Sequence, residues 1–163
     1  MRKATLVFLI IRSDDGKIAK ILLALKKRGF GKGRWNGVGG KPDPGESIMD
    51  CARREASEEI GVKLSQINEI GVIKFRFKYN EDWDQDVYFY TCEKWEGTPA
   101  ESEEMKPRWF AVDTIPYDKM WPDDKYWMPI ALKENKFGGS ILFGKNDIIL
   151  ENNICEKKMK IKG

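Results

Sequence analysis

Glu55, Glu58 and Glu59 stand at i, i+3 and i+4 in a stretch rich in helix formers, so a helix there holds three carboxylates on one stripe of its surface. Oxygen-only donor sets select hard cations, and magnesium in particular is held by a few carboxylates together with water and substrate phosphates. The ordinary reading of such a stripe is a solvated face on which Arg54 and Glu58 form an i,i+4 ion pair. Two features argue for more. Glu55 and Glu59 form a like-charge i,i+4 pair, which costs about a few tenths of a kcal/mol unless a cation lies between them. The helix is also fed by a glycine-rich loop. Seven of the fifteen glycines fall between Lys27 and Gly45, interleaved with Lys32, Arg34, Lys41 and a Trp35 that reads as exposed. Glycines of this density suit close backbone approach to phosphate, so the natural substrate is a polyphosphate.

The 163 residues contain no histidine. That excludes Ser-His-Asp and Cys-His catalysis, histidine zinc sites and imidazole proton shuttles together. The chemistry must fall to carboxylates, lysines, tyrosines or an oxygen-held metal. With 41% hydrophobic and 34% charged residues the chain suits one globular domain over 1–163, and disordered or collagen-like classes are excluded. Twenty-nine basic against 26 acidic residues leave +3. Such a balance implies neither a nucleic-acid coat nor a membrane partner. Cys51, Cys92 and Cys155 form no CxxC pair, and no apolar run reaches transmembrane length; the expected location is cytoplasmic and the expected state a monomer.

Around the carboxylates, Thr5–Ile11 and Ile18–Leu25 are apolar runs separated by Ser13-Asp14-Asp15-Gly16, which predicts a hairpin. Ser47 begins a capping-box pattern and Gly61 sits where a C-cap glycine belongs, predicting a helix over 47–60. Val72–Tyr79 alternates, with Phe75, Phe77 and Tyr79 on one face. Asp86–Glu93 and Arg108–Val112 read as strands, Trp121-Pro122-Asp123-Asp124 opens a second helix towards Glu134 that Pro129 should bend, and a hairpin lies around Gly144–Asp147. The tail carrying Lys157, Lys158, Lys160 and Lys162 reads as solvated.

Gly40, Glu46 and Arg54-Glu55-Ala56-Ser57-Glu58-Glu59-Ile60-Gly61-Val62 satisfy every position of G-x5-E-x7-R-E-U-x-E-E-x-G-U, and so this segment resembles the Nudix box. Seven fixed identities at fixed spacing coincide by chance on the order of once in 10^8 to 10^9. The resemblance implies an α/β Nudix fold, a mixed β-sheet sandwiched between α-helices, and hydrolysis of nucleoside diphosphate derivatives. Lys26-Lys27-Arg28-Gly29-Phe30-Gly31, Arg34-Trp35-Asn36-Gly37, Gly97-Thr98-Pro99, Glu104-Met105, Trp109-Phe110 and Trp121-Pro122-Asp123-Asp124 with Tyr126-Trp127 are similar to the MutT-homologue subfamily. That likeness runs from about Thr5 to Leu150. It implies magnesium-dependent hydrolysis, with manganese as a substitute, of oxidised purine nucleoside triphosphates such as 8-oxo-dGTP and 2-oxo-dATP, clearing them from the nucleotide pool.

An oxidised guanine carries a C8 carbonyl and a hydrogen on N7, which turns an acceptor into a donor. A pocket that offers acceptors there rejects the normal base by leaving lone pairs facing each other. Asp123 and Asp124, as adjacent buried carboxyls, should have at least one raised pKa, so that one donates and the other accepts; Asn36 offers both functions on one amide. The plain structural alternative for Asp124 is the N-cap of the following helix. Trp121, Phe30, Phe75 and Phe77 would wall the base, although Phe75 and Phe77 also read as plain core. By resemblance the metal ligands are Glu55, Glu58, Glu59, Glu104 and the carbonyl of Gly39, while Glu46 orients the loop or Arg54. Resemblance also places Thr5, Lys26, Val38, Gly39, Gly40, Lys41 and Pro122 at the substrate. Glu59 is the expected general base, with Glu55 next. Gln85 and Val38 stand where the subfamily has methionine and phenylalanine, so they bear on which purine is preferred. Two rival functions are a Nudix pyrophosphatase for nucleotide sugars, dinucleotides or caps, and a non-catalytic nucleotide-binding module.

Overall fold

A computed structural model describes residues 1–157. Strand β1 (Lys3–Arg12) is apolar on both faces because it lies inside a sheet covered on both sides. Val7 and Leu9 point to one core and Phe8 and Ile10 to the other. β2 (Ile18–Lys26) returns antiparallel to β1, completing the expected hairpin, and the two-residue β3 (Trp35–Asn36) pairs with β2. Trp35 is half-buried there, its ring 5.0 Å from that of Phe110, rather than exposed.

Helix α1 (Ile48–Ile60) starts where the Ser47 side chain accepts the Asp50 N–H at 3.1 Å and stops at Gly61, whose φ of 73° is left-handed. Its apolar face is Ala52, Ala56 and Ile60, all buried against Val7, Leu9 and Val38. β4 (Lys63–Phe77) is much longer than the alternating segment suggests, because it pairs with β5 (Gln85–Glu96) through three register shifts. Gly71 is needed on it, since a Cβ would lie 2.4 Å from the Phe137 ring. Phe75 and Phe77 are buried, but Tyr79 is not. The strand ends at Phe77, whose N–H is taken by the Asp84 carboxylate at 2.7 Å, and Tyr79 emerges into solvent on the turn beyond.

β6 (Met105–Ala111) pairs with β2. Helix α2 (Asp124–Leu132) covers the opposite face of the sheet from α1 with Trp127, Met128 and Ala131. It ends two residues short of Glu134, which takes a left-handed φ of 63°. β7 (Lys136–Phe143) and β8 (Ile149–Asn152) form the expected second hairpin, and β9 (Cys155–Lys157) adds to β7. Lys157 is therefore a strand residue; Lys158, Lys160 and Lys162 lie outside the described residues. The sheet order is β3-β2-β1-β5-β4-β7-β8, with β1–β5 and β4–β7 parallel and the remaining pairs antiparallel. Among the described residues no helix is long and apolar enough to cross a membrane.

Candidate active site

The loop before α1 is fastened to the centre of the sheet. Val7 and Val38 exchange backbone hydrogen bonds at 2.7 and 3.0 Å, and the Thr5 N–H donates to the Gly40 carbonyl at 2.9 Å. Side chains are excluded from this seam: a Cβ on Gly39 would fall 1.7 Å from the Thr5 carbonyl oxygen, and one on Gly40 would fall 2.6 Å from the Glu55 carboxyl. Glycine here is a requirement of close approach, and the carboxylate end of Glu55 occupies the space so released.

Arg54 organises the acidic stripe. Its guanidinium donates to both Glu46 oxygens at 2.9 Å, to Glu55 at 2.9 Å, to Glu58 at 3.2 Å and to the Lys41 carbonyl at 3.1 Å. The bidentate bond from Arg54 holds the Glu46 carboxyl below its usual range. Glu46 is thus a positioning group for Arg54 and the loop. Glu59 has no such cation. It is 3% exposed, its Oε1 accepts the Gly39 N–H at 3.2 Å, and its Oε2 has no partner. Burial, then the adjacent Glu55, pushes its pKa up to about 9, against the opposing pull of Lys26 and the Gly39 N–H.

Among the described residues no three acidic or cysteine side chains form a ready ligand cage. Arg54 occupies the outer carboxylates instead. The donors nonetheless fit a hard divalent cation: they are all oxygen, Glu59 presents a buried oxygen lacking a partner, and Gly40 leaves Glu55 the room to turn. Glu58 is more than half exposed beside them. Glu104 is half exposed and pairs with Arg28 at 3.3 Å, with no bond to the α1 glutamates. Burial pushes the Cys51 thiol up, which removes it as a thiolate nucleophile at neutral pH.

A cavity of about 510 Å³ runs from this loop across the sheet to the start of α2. Thr5, Lys26, Asn36, Gly39, Gly40 and Lys41 line its loop end; Phe30, Phe75, Phe77, Trp121, Asp123 and Asp124 line the other. Val38 and Pro122 do not line it. Val38 is 2% exposed and, one residue out of phase with Gly37 and Gly39, faces α1 and the core beneath it. Val38 therefore bears on packing under α1 and not on a cavity wall. Gln85 does line the cavity.

Asp123 and Asp124 are 2% and 3% exposed. Neither caps α2 through its side chain, so the N-cap alternative for Asp124 is not what the fold uses. Both instead accept the indole N–H of Trp127, at 3.1 and 3.0 Å, and Asp124 Oδ2 has no partner. Burial raises Asp123 to about 6, and burial plus the charge of Asp123 raises Asp124 well above the carboxylate range. Near neutral pH the pair accordingly shares one proton, leaving one donor and acceptors side by side. Asn36 spends its amide oxygen on the Gly37 N–H at 2.8 Å, which leaves its NH2 as a donor.

Three features lay beyond the motif. Trp127 anchors both aspartates; its i+3 and i+4 spacing from them was a usable signal. Arg34 stacks 4.1 Å from the Trp121 ring centre and pairs with Asp147 at 2.9 Å, a contact between distant segments that no local pattern announces. Trp83, on the turn after β4, packs 5.2 Å from Phe30 and 5.5 Å from Phe77.

This sheet, with its glycine seam and glutamate helix, is the arrangement of a Nudix domain, whose family description matches residues 1–130; the chain belongs to the Nudix hydrolase family. Nudix hydrolases generally use divalent metal ions. Over 137 residues, 84% of this chain and 87% of the relative, it is 45% identical to the oxidized purine nucleoside triphosphate hydrolase of Mus musculus. The protein of the same name from Danio rerio gives the same identity and coverage. A mutator MutT protein from Bacillus halodurans shares the fold with a TM-score of 0.79 over 94% of this chain and 97% of that one, at 22% identity.

Proposed function

We propose that this chain hydrolyses oxidised purine nucleoside triphosphates, such as 8-oxo-dGTP and 2-oxo-dATP, to the monophosphate and pyrophosphate. Magnesium is the proposed ion, manganese a substitute, and a free nucleotide met by a monomer the proposed partner. The observation that carries this reading is one cavity running from the glycine loop, against which Glu55 and Glu59 of α1 pack, to a buried pair of adjacent aspartates. The 45% identity to two proteins named for that activity supports it further.

Glu55, Glu58 and Glu59, with the Gly39 carbonyl and Glu104, would hold the ion. When bound it supplies positive charge that acidifies water and neutralises the departing phosphates. Lys26 and Lys41, at the loop end of the cavity, draw the triphosphate towards α1. Water attacks the β-phosphorus, the bond from that phosphorus to the α–β bridging oxygen breaks, and pyrophosphate leaves with the water's oxygen. Beside the ion's charge Glu59 would stay in its carboxylate form despite its burial, and that carboxylate would take the water's proton, with Glu55 as the second candidate. At the other end the ionised aspartate accepts the N7 hydrogen that only the oxidised base carries, and the protonated one donates to the base edge. Guanine presents a lone pair at N7 instead and loses that bond.

A competition between 8-oxo-dGTP and dGTP, followed by released pyrophosphate, tests the proposal. A clear preference for the oxidised nucleotide is expected. Equal turnover of the two, or faster turnover of a nucleotide sugar, a dinucleotide or a cap analogue, would overturn it.

A further inference from the structure

The turn joining β4 to β5 carries a tryptophan that the catalytic and base-reading groups leave unexplained. Trp83 is 44% exposed and Phe30 is 43% exposed, although the two rings lie 5.2 Å apart at the cavity. Phe30 in turn lies 5.0 Å from Trp121, and Phe77 sits beneath all three. Large apolar rings left half in water at a pocket mouth are sites where a ligand completes the burial.

The turn itself is built to fix this ring. The Asn80 side chain accepts the Asp82 N–H at 3.2 Å, the Trp83 N–H donates to the Asn80 carbonyl at 3.1 Å, and Asp84 holds the Phe77 N–H. The Arg2 guanidinium also donates to the Asp82 carbonyl, tying the turn to the start of β1. Trp83 borders both the 510 Å³ cavity and an adjoining compartment of about 330 Å³, so it stands at the boundary where a base seated on the aspartate pair would meet solvent.

We infer that Trp83 is a further substrate-binding residue, an aromatic clamp that with Phe30 and Trp121 stacks on the two-ring base of the substrate. The inference rests on the oxidised-purine reading above. A planar purine gains more from such a wall than a single ring does, because stacking scales with overlapped area and tolerates changes at the base edge. Trp83 thereby supplies affinity for purines, and the aspartate pair chooses among them.

The test compares Trp83→Leu, which keeps apolar cover over Phe30 and Phe77 but removes the ring, with Trp83→Phe. For 8-oxo-dGTP, Trp83→Leu is expected to raise KM roughly ten- to a hundredfold while kcat moves less than twofold, and Trp83→Phe to recover most of the loss. The ratio of 8-oxo-dGTP to dGTP turnover stays unchanged in both. A KM within twofold of the parent, no recovery with phenylalanine, or a fall in kcat matching the rise in KM would overturn the clamp. Failure of the parent protein to prefer 8-oxo-dGTP would instead overturn the functional reading, so the two failures are distinguishable.

Discussion

Asparagine in place of Asp123 separates base reading from every other property of the site. Asp123 has a raised pKa of about 6 against 3.8, a difference that corresponds to roughly 3 kcal/mol. Because the folded value is the higher one, this stabilisation is full below about pH 4 and is lost as pH rises through 6. Asp123→Asn removes the group that titrates, so at pH 7 the variant should unfold no more readily than the parent, and stability between pH 4 and 6 should flatten. Activity is expected to behave oppositely. A hydrogen bond to a charged acceptor contributes about 1.5–3 kcal/mol, so kcat/KM for 8-oxo-dGTP should fall roughly ten- to a hundredfold, while that for dGTP changes little. In the parent, kcat/KM for 8-oxo-dGTP should also decline as pH drops through about 6, where Asp123 takes up a proton and ceases to accept; the variant should lack that limb. Pyrophosphate release for both nucleotides from pH 5 to 8, with urea unfolding alongside, measures all of this. An unchanged 8-oxo-dGTP to dGTP ratio in the variant would refute the assignment of base discrimination to the pair.

Other consequences are equally concrete. Glu59→Gln should lower kcat at least a hundredfold with the thermal midpoint preserved, which steady-state assay and calorimetry would check; retained turnover would remove Glu59 as the base. Gly40→Ala should displace Glu55, since its Cβ would lie 2.6 Å from that carboxyl, and weaken magnesium activation at least tenfold in a metal titration of turnover. Magnesium should raise the melting temperature by several degrees at a hundredfold excess over its dissociation constant, a stabilisation of about 2.7 kcal/mol. The rise should vanish on chelation, and an absent shift would contradict the assigned ligands.

The glutamate helix was legible because its information is local. Ser47 and Gly61 cap it, and the spacing from Gly40 to Gly61 fixes loop and carboxylates together. The doubly covered sheet was legible in β1, whose unbroken apolar run has no polar face to give to solvent. Pairings across long sequence distances were hidden. The extra length of β4 depends on bulges opposite β5, the burial of Val38 on its register with Val7, and the Arg34–Asp147 pair on a hairpin more than a hundred residues away. Tyr79 continued an alternating pattern that Asp84 terminates by taking the Phe77 N–H. For the aspartates, adjacency and burial were enough to anticipate raised pKa values; their anchor, Trp127, lay one helical turn away and needed the helix to bring it back.

A crystal structure of Glu59→Gln with 8-oxo-dGTP and magnesium would probe the site most directly. The purine edge should lie within hydrogen-bond distance of Asp123 and Asp124, and the triphosphate should lead through the Gly39–Lys41 loop to the ion on α1. A base seated away from the aspartates, or phosphates directed away from α1, would contradict the assignment of this cavity to oxidised purine nucleotides.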